Sequence, residues 1–238
     1  MYVRTLAVLG LVLLCAGVLR AADEPNKLTP AEEKDGWKLL FDGTTTKGWR
    51  GLGRKEFPAQ GWEVVDGCLH HRKAGGGGDI TIDGAYQDFE LSIEWKVAKA
   101  ANSGIKYRVV EAEGKTSAFG PEYQVLDDEG HPNGKVPKTT AGSLYDVIPP
   151  TANKKSKPAG EFNLTKIVAK GNHVEHWLNG EKVVEYEFGS DAWKEVIAKS
   201  KFSKSTVYGS PVKGQICLQD HTDEVWFRSV KIKDLTAK

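Results

Sequence analysis

The chain has 238 residues, with 33 basic and 32 acidic side chains and 9% aromatic residues. This near-neutral balance gives no electrostatic basis for binding nucleic acid or an anionic membrane surface. The length is ample for one hydrophobic core, and all-β sandwiches of this size are usually single domains.

The N-terminus has the pattern of a secretory signal peptide. Arg4 precedes an uncharged, Leu- and Val-rich run over 5–19, and Ala21-Ala22 follows as a small-residue cleavage site. The run is too short for a typical membrane span. We therefore predict export to the periplasm or beyond, with no stable membrane span after cleavage of residues 1–22.

The mature chain is predicted to contain one folded unit. Residues 23–36 are polar and are expected to be loosely ordered, and a single domain is expected over 37–238. Its cysteines are Cys68 and Cys217. In an oxidising compartment they could pair, but each lies in an apolar run and could equally be a buried thiol.

The first strands follow two signals. Residues 62–65 and 68–71 flank Asp66-Gly67, the dipeptide typical of a two-residue hairpin turn. Apolar and polar residues alternate over 89–97 and again over 105–109. This alternation predicts strands with one buried face and one solvated face.

The second half of the chain continues in the same way. Asn179-Gly180 predicts another hairpin turn, and the four further strands cover 174–178, 182–186, 215–219 and 225–232. One short helix is predicted where Trp193, Val196 and Ile197 share a helical face. Many short strands and a single helix favour an all-β, antiparallel β-sandwich.

The run Glu122 to Asp127 carries the candidate chemistry. On a strand, Glu122 and Gln124 point to one face, and a bulge near Leu126 would bring Asp127 to the same face. Acids and amides in this arrangement suit a polyhydroxylated ligand, although a solvated edge face is the alternative. The following segment, 128–160, has little periodicity and is predicted to form a wall or lid of a cleft.

Motifs along nearly the whole mature chain resemble the 3-keto-disaccharide hydrolase domain family. In order they are 37–49 (WKLLFDGTTTKGW), 62–69 (WEVVDGCL), 88–95 (DFELSIEW), 102–108 (NSGIKYR), 122–128 (EYQVLDD), 142–150 (GSLYDVIPP), 160–163 (GEFN), 174–180 (VEHWLNG) and 214–228 (GQICLQDHTDEVWFR). The resemblance implies a concanavalin A-like jelly roll, as in laminarinases, with the ligand on its concave sheet. It also implies cleavage of 3-keto-glycosides through lyase and hydratase steps.

The chemistry of a 3-keto sugar suggests roles for several residues. The ketone acidifies the proton at C2, so a base can remove it and the group at C1 can leave, after which water adds. We expect Glu122 to be the base, with Asp127 or His221 as its catalytic partner. We expect Arg108 to hold the enolate or a hydroxyl through its planar donor fork.

The remaining predicted site residues bind substrate. Gln124 and Gln219 are suited to orienting hydroxyls, and further candidates are Asn102, Tyr145, His131 and His176. Four residues also have a structural interpretation that the sequence leaves open. These interpretations are a hydrogen bond for His221, a core position for His176, a solvated loop for His131 and a loop anchor for Tyr145.

The sequence leaves open two other functions and the presence of a metal ion. The Glu122 strand resembles the laminarinase pattern of three acids, but the amide of Gln124 and the shorter Asp127 fit a direct retaining glycosidase poorly. A non-catalytic, lectin-like glycan-binding module is the competing class. Ligands for a divalent metal could come from Glu122, Asp127, and His131 or His221, and loop carboxylates could bind Ca²⁺, but no spacing is diagnostic.

Overall fold

The computed structural model describes residues 24–111, 118–205, 208 and 210–236. The predicted signal peptide lies outside these ranges. Within them, no helix has the length and apolar character needed to cross a bilayer.

Thirteen strands, two α-helices and two short 3-10 helices make up the described chain. The strands are β1 Trp37–Leu39, β2 Trp49–Gly51, β3 Trp62–Val65, β4 Cys68–His71, β5 Ile80–Ile82, β6 Phe89–Val97, β7 Asn102–Val109, β8 Glu122–Leu126, β9 Asn163–Lys170, β10 His173–Leu178, β11 Glu181–Glu187, β12 Gln215–Leu218 and β13 Val225–Asp234. The α-helices are α1 Pro30–Lys34 and α2 Asp191–Ala198, and the 3-10 helices are Pro132–Lys135 and Pro137–Thr139.

The strands form two antiparallel sheets that enclose one main core. The larger sheet has the order β11-β10-β9-β6-β13-β4-β3, with β1 also paired to β13, and the smaller has the order β2-β5-β12-β7-β8. The core lies between the sheets, where β6 alternates fully buried apolar residues with half-buried polar ones. The predicted all-β sandwich is therefore the observed architecture.

Local turn chemistry sets the hairpins as the sequence predicted. Asp66 and Gly67 have φ values of +49° and +72°, and Asn179 and Gly180 have +49° and +87°. Both pairs occupy the left-handed region, which a type I′ turn requires at its two central positions. Helix α2 begins behind Ser190, whose hydroxyl accepts a hydrogen bond from the Trp193 backbone amide at 3.1 Å.

The N-terminal segment is more ordered than the sequence suggested. Thr29 and Glu32 form a capping box at the start of α1. The Asn26 side chain accepts from the Ser229 amide at 2.8 Å, and Lys231 lies 2.7 Å from Glu32. The polar residues that suggested loose order therefore fasten this segment to the last strand.

Two open alternatives are decided in favour of structural roles. Cys68 and Cys217 are both free and buried, and burial raises the pKa of the Cys217 thiol to about 12. His176 is fully buried, with Nδ1 3.1 Å from the Gly142 carbonyl and Nε2 2.8 Å from the Tyr107 hydroxyl. Burial lowers the pKa of His176 to about 4, so its imidazole is neutral and serves as a core hydrogen-bonding group rather than the predicted substrate ligand.

Candidate functional site

The outer face of the smaller sheet carries a row of polar groups. Strands β7 and β8 pair in regular register, with Gly104 opposite Gln124 and Lys106 opposite Glu122. Alternation places these side chains on the face that points away from the core. Every residue of both strands is nevertheless buried, because loops cover this face as well. Buried polar side chains require hydrogen-bond partners, so this covered polar face is the candidate site.

A cavity of about 270 Å³ opens over these strands. Its walls come from β7, β8, the segments that precede β8 and follow β12, and the loops after the 3-10 helices and α2. The lining residues are Asn102, Lys106, Ala118, Phe119, Gly120, Glu122, Gln124, Tyr145, Lys201, Phe202, Gln219 and His221. Six of the ten predicted site residues are among them: Asn102, Glu122, Gln124, Tyr145, Gln219 and His221.

Glu122 lies at the floor of the cavity and is 9% exposed. Burial raises the pKa of its carboxyl group, and the nearby Lys106 ammonium, 3.9 Å away, opposes that shift. The carboxylate lies directly over Gly104, where a Cβ atom would come within 2.6 Å of Oε1. The absence of a side chain at position 104 therefore creates the space that Glu122 occupies.

Lys106 is buried beside the carboxylate and is held from below. Its ammonium lies 3.3 Å from Asp79 Oδ2 and 3.2 Å from the Ala118 carbonyl. Asp79 is only 2% exposed and also accepts from the backbone amides of Ala118 and Asp220, at 2.8 and 3.0 Å. One buried carboxylate thus joins β7 to two of the segments that wall the cavity.

Two buried amide oxygens in the lining have no hydrogen-bond partner among the described residues. They are Oε1 of Gln124 and Oε1 of Gln219. The Gln124 amide nitrogen donates to Asn102 Oδ1 at 3.1 Å, so its oxygen remains as the acceptor. A buried acceptor without a donor is costly, and a ligand hydroxyl would supply the missing donor.

Tyr145 and His221 lie at the edge of the cavity. The backbone amide of Tyr145 donates to the Glu122 carbonyl at 3.0 Å, so the segment around Tyr145 runs alongside β8. The ring is half-buried, and burial raises the pKa of its hydroxyl, which stays protonated and can donate. His221 is exposed, with Nδ1 3.9 Å from Asp223.

Asp127 does not join this face. The pairing of β7 with β8 has no register shift, so the bulge predicted near Leu126 is absent from these strands. Asp127 follows the end of β8, where Oδ2 accepts from the Ala100 amide at 2.7 Å and Oδ1 from the Glu129 amide at 3.2 Å. Its carboxylate is a turn-stabilising group outside the cavity lining.

A bulge occurs instead in β7, and it removes Arg108 from the site. Opposite β12, Lys106 pairs with Cys217 and Val109 with Gln215, so two residues of β7 oppose one. Arg108 has φ +50° and turns its fully buried guanidinium to the carbonyls of Gln87 and Gly171, at 2.9 and 2.8 Å. Arg108 does not line the cavity, so the expectation that it holds the ligand is wrong. Lys106 is the buried cation at the site.

His131 also lies outside the cavity. Its Nδ1 accepts from the Asn133 amide at 3.1 Å and caps the first 3-10 helix. The loop predicted as a wall or lid, 128–160, contributes Tyr145 to the lining.

Comparison with known proteins identifies the group to which this cavity belongs. Residues 36–233 match the family described as the 3-keto-alpha-glucoside-1,2-lyase-like domain. The chain belongs to this family. A 3-keto-disaccharide hydrolase from Bacteroides thetaiotaomicron is 36% identical over 247 residues, which cover 91% of this chain and 84% of that protein. The resemblance seen in the motifs is confirmed, and the protein is a glycoside hydrolase-like carbohydrate enzyme.

Two solved structures of candidate glycosyl hydrolases from Parabacteroides distasonis are similar to this lyase-like domain. One is 33% identical with a TM-score of 0.79 and covers 89% of this chain and 100% of its own. The other is 26% identical with a TM-score of 0.60 and covers 84% and 99%. The predicted sandwich fold is therefore confirmed by relatives as well as by the strand pairing.

Sequence reasoning missed four larger side chains in the lining of the lyase-like domain: Lys106, Phe119, Lys201 and Phe202. Lys106 had a signal, because it lies between the apolar residues Ile105 and Tyr107 in the alternating pattern of a predicted strand. The other three lie in irregular segments with no periodicity. Only the folding of these segments over the sheet brings them to the cavity.

The predicted metal ligands are not gathered in the lyase-like domain. Glu122 and His221 line the cavity, whereas Asp127 and His131 lie outside it. Among the described residues, the ligand atoms of His173, Glu175 and Glu185 lie within 4.8 Å of one another. That group is on the β10–β11 hairpin, away from the cavity, and the Lys182 ammonium already lies 3.1 and 2.6 Å from its two carboxylates.

Gly104→Ala tests whether the empty position 104 seats the Glu122 carboxylate. We expect overpacking to lower the free energy of unfolding by about 1–3 kcal/mol and to lower catalytic turnover at least about tenfold, since a displacement of about 1 Å costs more than that. Urea unfolding measures the change in the free energy of unfolding, and a kinetic assay measures the change in turnover.

The matched control for this change is Glu122→Asp, which shortens the side chain that the new methyl group would meet. Gly104→Ala should cost less stability when it is combined with Glu122→Asp than in the wild type, because contacting residues couple. An equal cost in both backgrounds would show that Gly104 has another role.

Proposed function

We propose that the protein cleaves 3-keto-glycosides, including 3-keto-disaccharides, by elimination followed by hydration. The observation that carries this proposal is the pairing of one buried carboxylate, Glu122, with one buried ammonium, Lys106, in a cavity that also presents two unpaired amide oxygens. This set supplies a base, a cation for an oxyanion and acceptors for hydroxyls.

Glu122 is the base in the first step. The ketone at C3 makes the C2 proton acidic, and the carboxylate takes this proton while the C2–H electron pair forms the enolate. A base is most effective when its pKa is near the working pH. Burial moves the pKa of Glu122 upward from its ordinary value, toward that range.

Lys106 stabilises the enolate oxygen. A fixed ammonium in a water-poor site stabilises developing negative charge more than it does in water. Lys106 is 4% exposed and is held by Asp79 within 3.9 Å of the base. It takes the role that the sequence had suggested for Arg108.

The leaving group departs in the second step. The enolate electrons re-form the C3 carbonyl, a C1–C2 double bond forms, and the bond between C1 and the leaving oxygen breaks. Tyr145 or His221, at the edge of the cavity, gives the leaving oxygen its proton. Water then adds its hydroxyl at C1 and gives its other proton back to Tyr145 or His221, while protonated Glu122 returns its proton to C2. Both groups regain their starting state, and the net result is hydrolysis of the glycosidic bond.

The amides orient the sugar for these steps. Gln124 and Gln219 present their unpaired oxygens to hydroxyl donors, and Asn102 fixes the Gln124 amide. The proposed sequence of steps accommodates both names in the comparisons. Elimination is a lyase reaction, as in the family description, and elimination plus hydration is hydrolysis, as in the name of the B. thetaiotaomicron protein.

Direct glycoside hydrolysis is a weaker fit to this cavity. A retaining glycosidase requires two carboxyl groups about 5–5.5 Å apart on either side of the bond. Among the described residues of the lining, Glu122 is the only carboxylate. A glycan-binding module would use the same amide acceptors but would have no need for a buried acid and ammonium.

Export is a further part of the proposal. It rests on the signal-like pattern over 1–22. Expression of the full chain in a Gram-negative host should yield a shortened protein outside the cytoplasm that begins near residue 22 or 23. A full-length cytoplasmic product would contradict export without affecting the proposed chemistry.

Substrate comparison tests the reaction. The purified protein should release 4-nitrophenol from 4-nitrophenyl 3-keto-α-glucoside and none from the unoxidised glucoside, because only the ketone acidifies C2. Glu122→Gln should lower the rate by about 10²–10⁴-fold, the usual contribution of a general base. Glu129→Gln, at an exposed position, is the matched control and should retain the wild-type rate.

Each outcome of that comparison has a distinct meaning. Release from the unoxidised glucoside would indicate a conventional hydrolase. Release from neither compound would favour the binding module. A Glu122→Gln variant with a near-normal rate would remove Glu122 from the mechanism.

The pH profile tests Lys106. Its positive charge lowers the pKa of Glu122, so its loss should raise that pKa further. Since the base must be ionised, the acidic limb of the kcat/KM profile should move to higher pH. The Asp79 carboxylate makes a smaller, opposite contribution to the pKa of Glu122, so removing both charges should still leave a net shift to higher pH. Lys106→Met paired with Asp79→Asn avoids leaving a buried charge alone, which would cost about 3–5 kcal/mol.

The control for this shift is Lys106→Arg, which keeps the charge and should leave the limb near its wild-type position. An unchanged limb in the double variant, with the fold intact by circular dichroism, would show that the charge of Lys106 does not outweigh that of Asp79 at the base.

A further inference from the structure

Two phenylalanines form the outer edge of the cavity, and neither has a place in the proposed chemistry. Phe119 precedes β8, and Phe202 follows α2. We call this pair the aromatic lip. Phe119 is 49% exposed and is the only aromatic residue among the exposed large apolar side chains of the described residues. An exposed aromatic ring at the mouth of a site suggests a contact surface.

The lip is supported from behind by other rings. Phe119 meets Phe202 edge-on, with ring centres 6.1 Å apart. Phe202 stacks on Tyr208 at 3.9 Å, and Tyr208 is parallel to Trp193 of α2 at 6.3 Å. This stack connects the lip to the buried core, so its rings are held in place before any ligand arrives.

The free face of the lip belongs mainly to Phe119. The Lys201 ammonium lies 5.0 Å from the Phe202 ring centre and 4.1 Å from that of Tyr145, so a cation already lies beside these rings. Phe119 has no such cation contact among the described residues. Its ring is therefore the available stacking surface.

The lip and the floor of the cavity differ in chemistry. The floor offers amide oxygens, a carboxylate and an ammonium, whereas the lip offers no hydrogen-bonding group. The cavity volume of about 270 Å³ lies just below the usual range for ligand pockets, which begins at about 300 Å³. The floor can hold the oxidised ring, and the group attached to C1 must then lie toward the opening, where the lip is.

We propose that the aromatic lip is the subsite for the leaving group and that Phe119 selects leaving groups with a flat, apolar face, such as an aryl ring or the apolar face of a pyranose. This inference rests on the proposed function for the position of the sugar. Stacking against a fixed ring adds to binding beyond the burial of area. A small alkyl leaving group, such as methyl, gains little from such a surface.

Binding of two matched ligands tests the lip. Titration calorimetry on the Glu122→Gln protein, in which cleavage is slowed by about 10²–10⁴-fold, gives Kd for 4-nitrophenyl and for methyl 3-keto-α-glucoside. Adding Phe119→Ala should weaken binding of the aryl compound about tenfold and change that of the methyl compound less than about twofold. Phe119→Trp should retain the preference, because it keeps a ring.

Leu164→Ala is the matched control, since Leu164 is an exposed apolar residue on β9, 42% exposed and outside the lining. It should leave both Kd values unchanged. Equal weakening of both ligands by Phe119→Ala would show that Phe119 only shapes the cavity, and no weakening would show that it does not touch the leaving group. Failure of both ligands to bind the Glu122→Gln protein would also contradict the role of the aromatic lip as a subsite.

Turnover by the wild type separates this inference from the proposed function. Cleavage of both 3-keto compounds without an aryl preference that depends on Phe119 would refute the role of the aromatic lip as a subsite, while the proposed reaction would still hold. A binding preference that depends on Phe119, without any turnover, would refute the proposed reaction, while the role of the aromatic lip as a subsite would still hold.

Discussion

The buried contact between Asp79 and Lys106 is the interaction on which the site depends. Two charges taken out of water are stable only when they are paired and when their remaining hydrogen-bonding capacity is satisfied. Here the carboxylate also receives two backbone amides, one from the segment before β8 and one from the loop after β12. The ion pair therefore sets the position of the cavity walls as well as the charge beside Glu122.

The face of the smaller sheet carries chemistry because it is covered and polar at the same time. Gly104 leaves a space, Glu122 fills it, and Gln124 and Gln219 present oxygens without donors on either side. Such a surface is unfavourable without a ligand, since buried polar groups require partners. The aromatic lip lies at the opening, so one cavity presents a hydrogen-bonding floor and a stacking edge to the two halves of a glycoside.

One extra residue in β7 decides which cation serves this site. Regular alternation would place Arg108 on the same face as Lys106. The bulge instead directs the Arg108 side chain to the backbone carbonyls of Gln87 and Gly171. A bulge changes the side-chain face at that point of a strand. No glycine or proline stands at the bulge in the sequence, so no local signal predicts it.

The sequence by itself determined the family, the sandwich, both hairpin turns, helix α2 and the strand that carries Glu122 and Gln124. These features depend on local periodicity, turn residues and motifs, all of which are short-range properties of the chain. Tertiary structure alone decided that Asp127, Arg108, His131 and His176 lie outside the cavity and that Lys106, Phe119 and Phe202 line it. The physical reason is that strand register, a bulge and the packing of irregular loops are fixed by contacts between segments far apart in the chain, which no local pattern records.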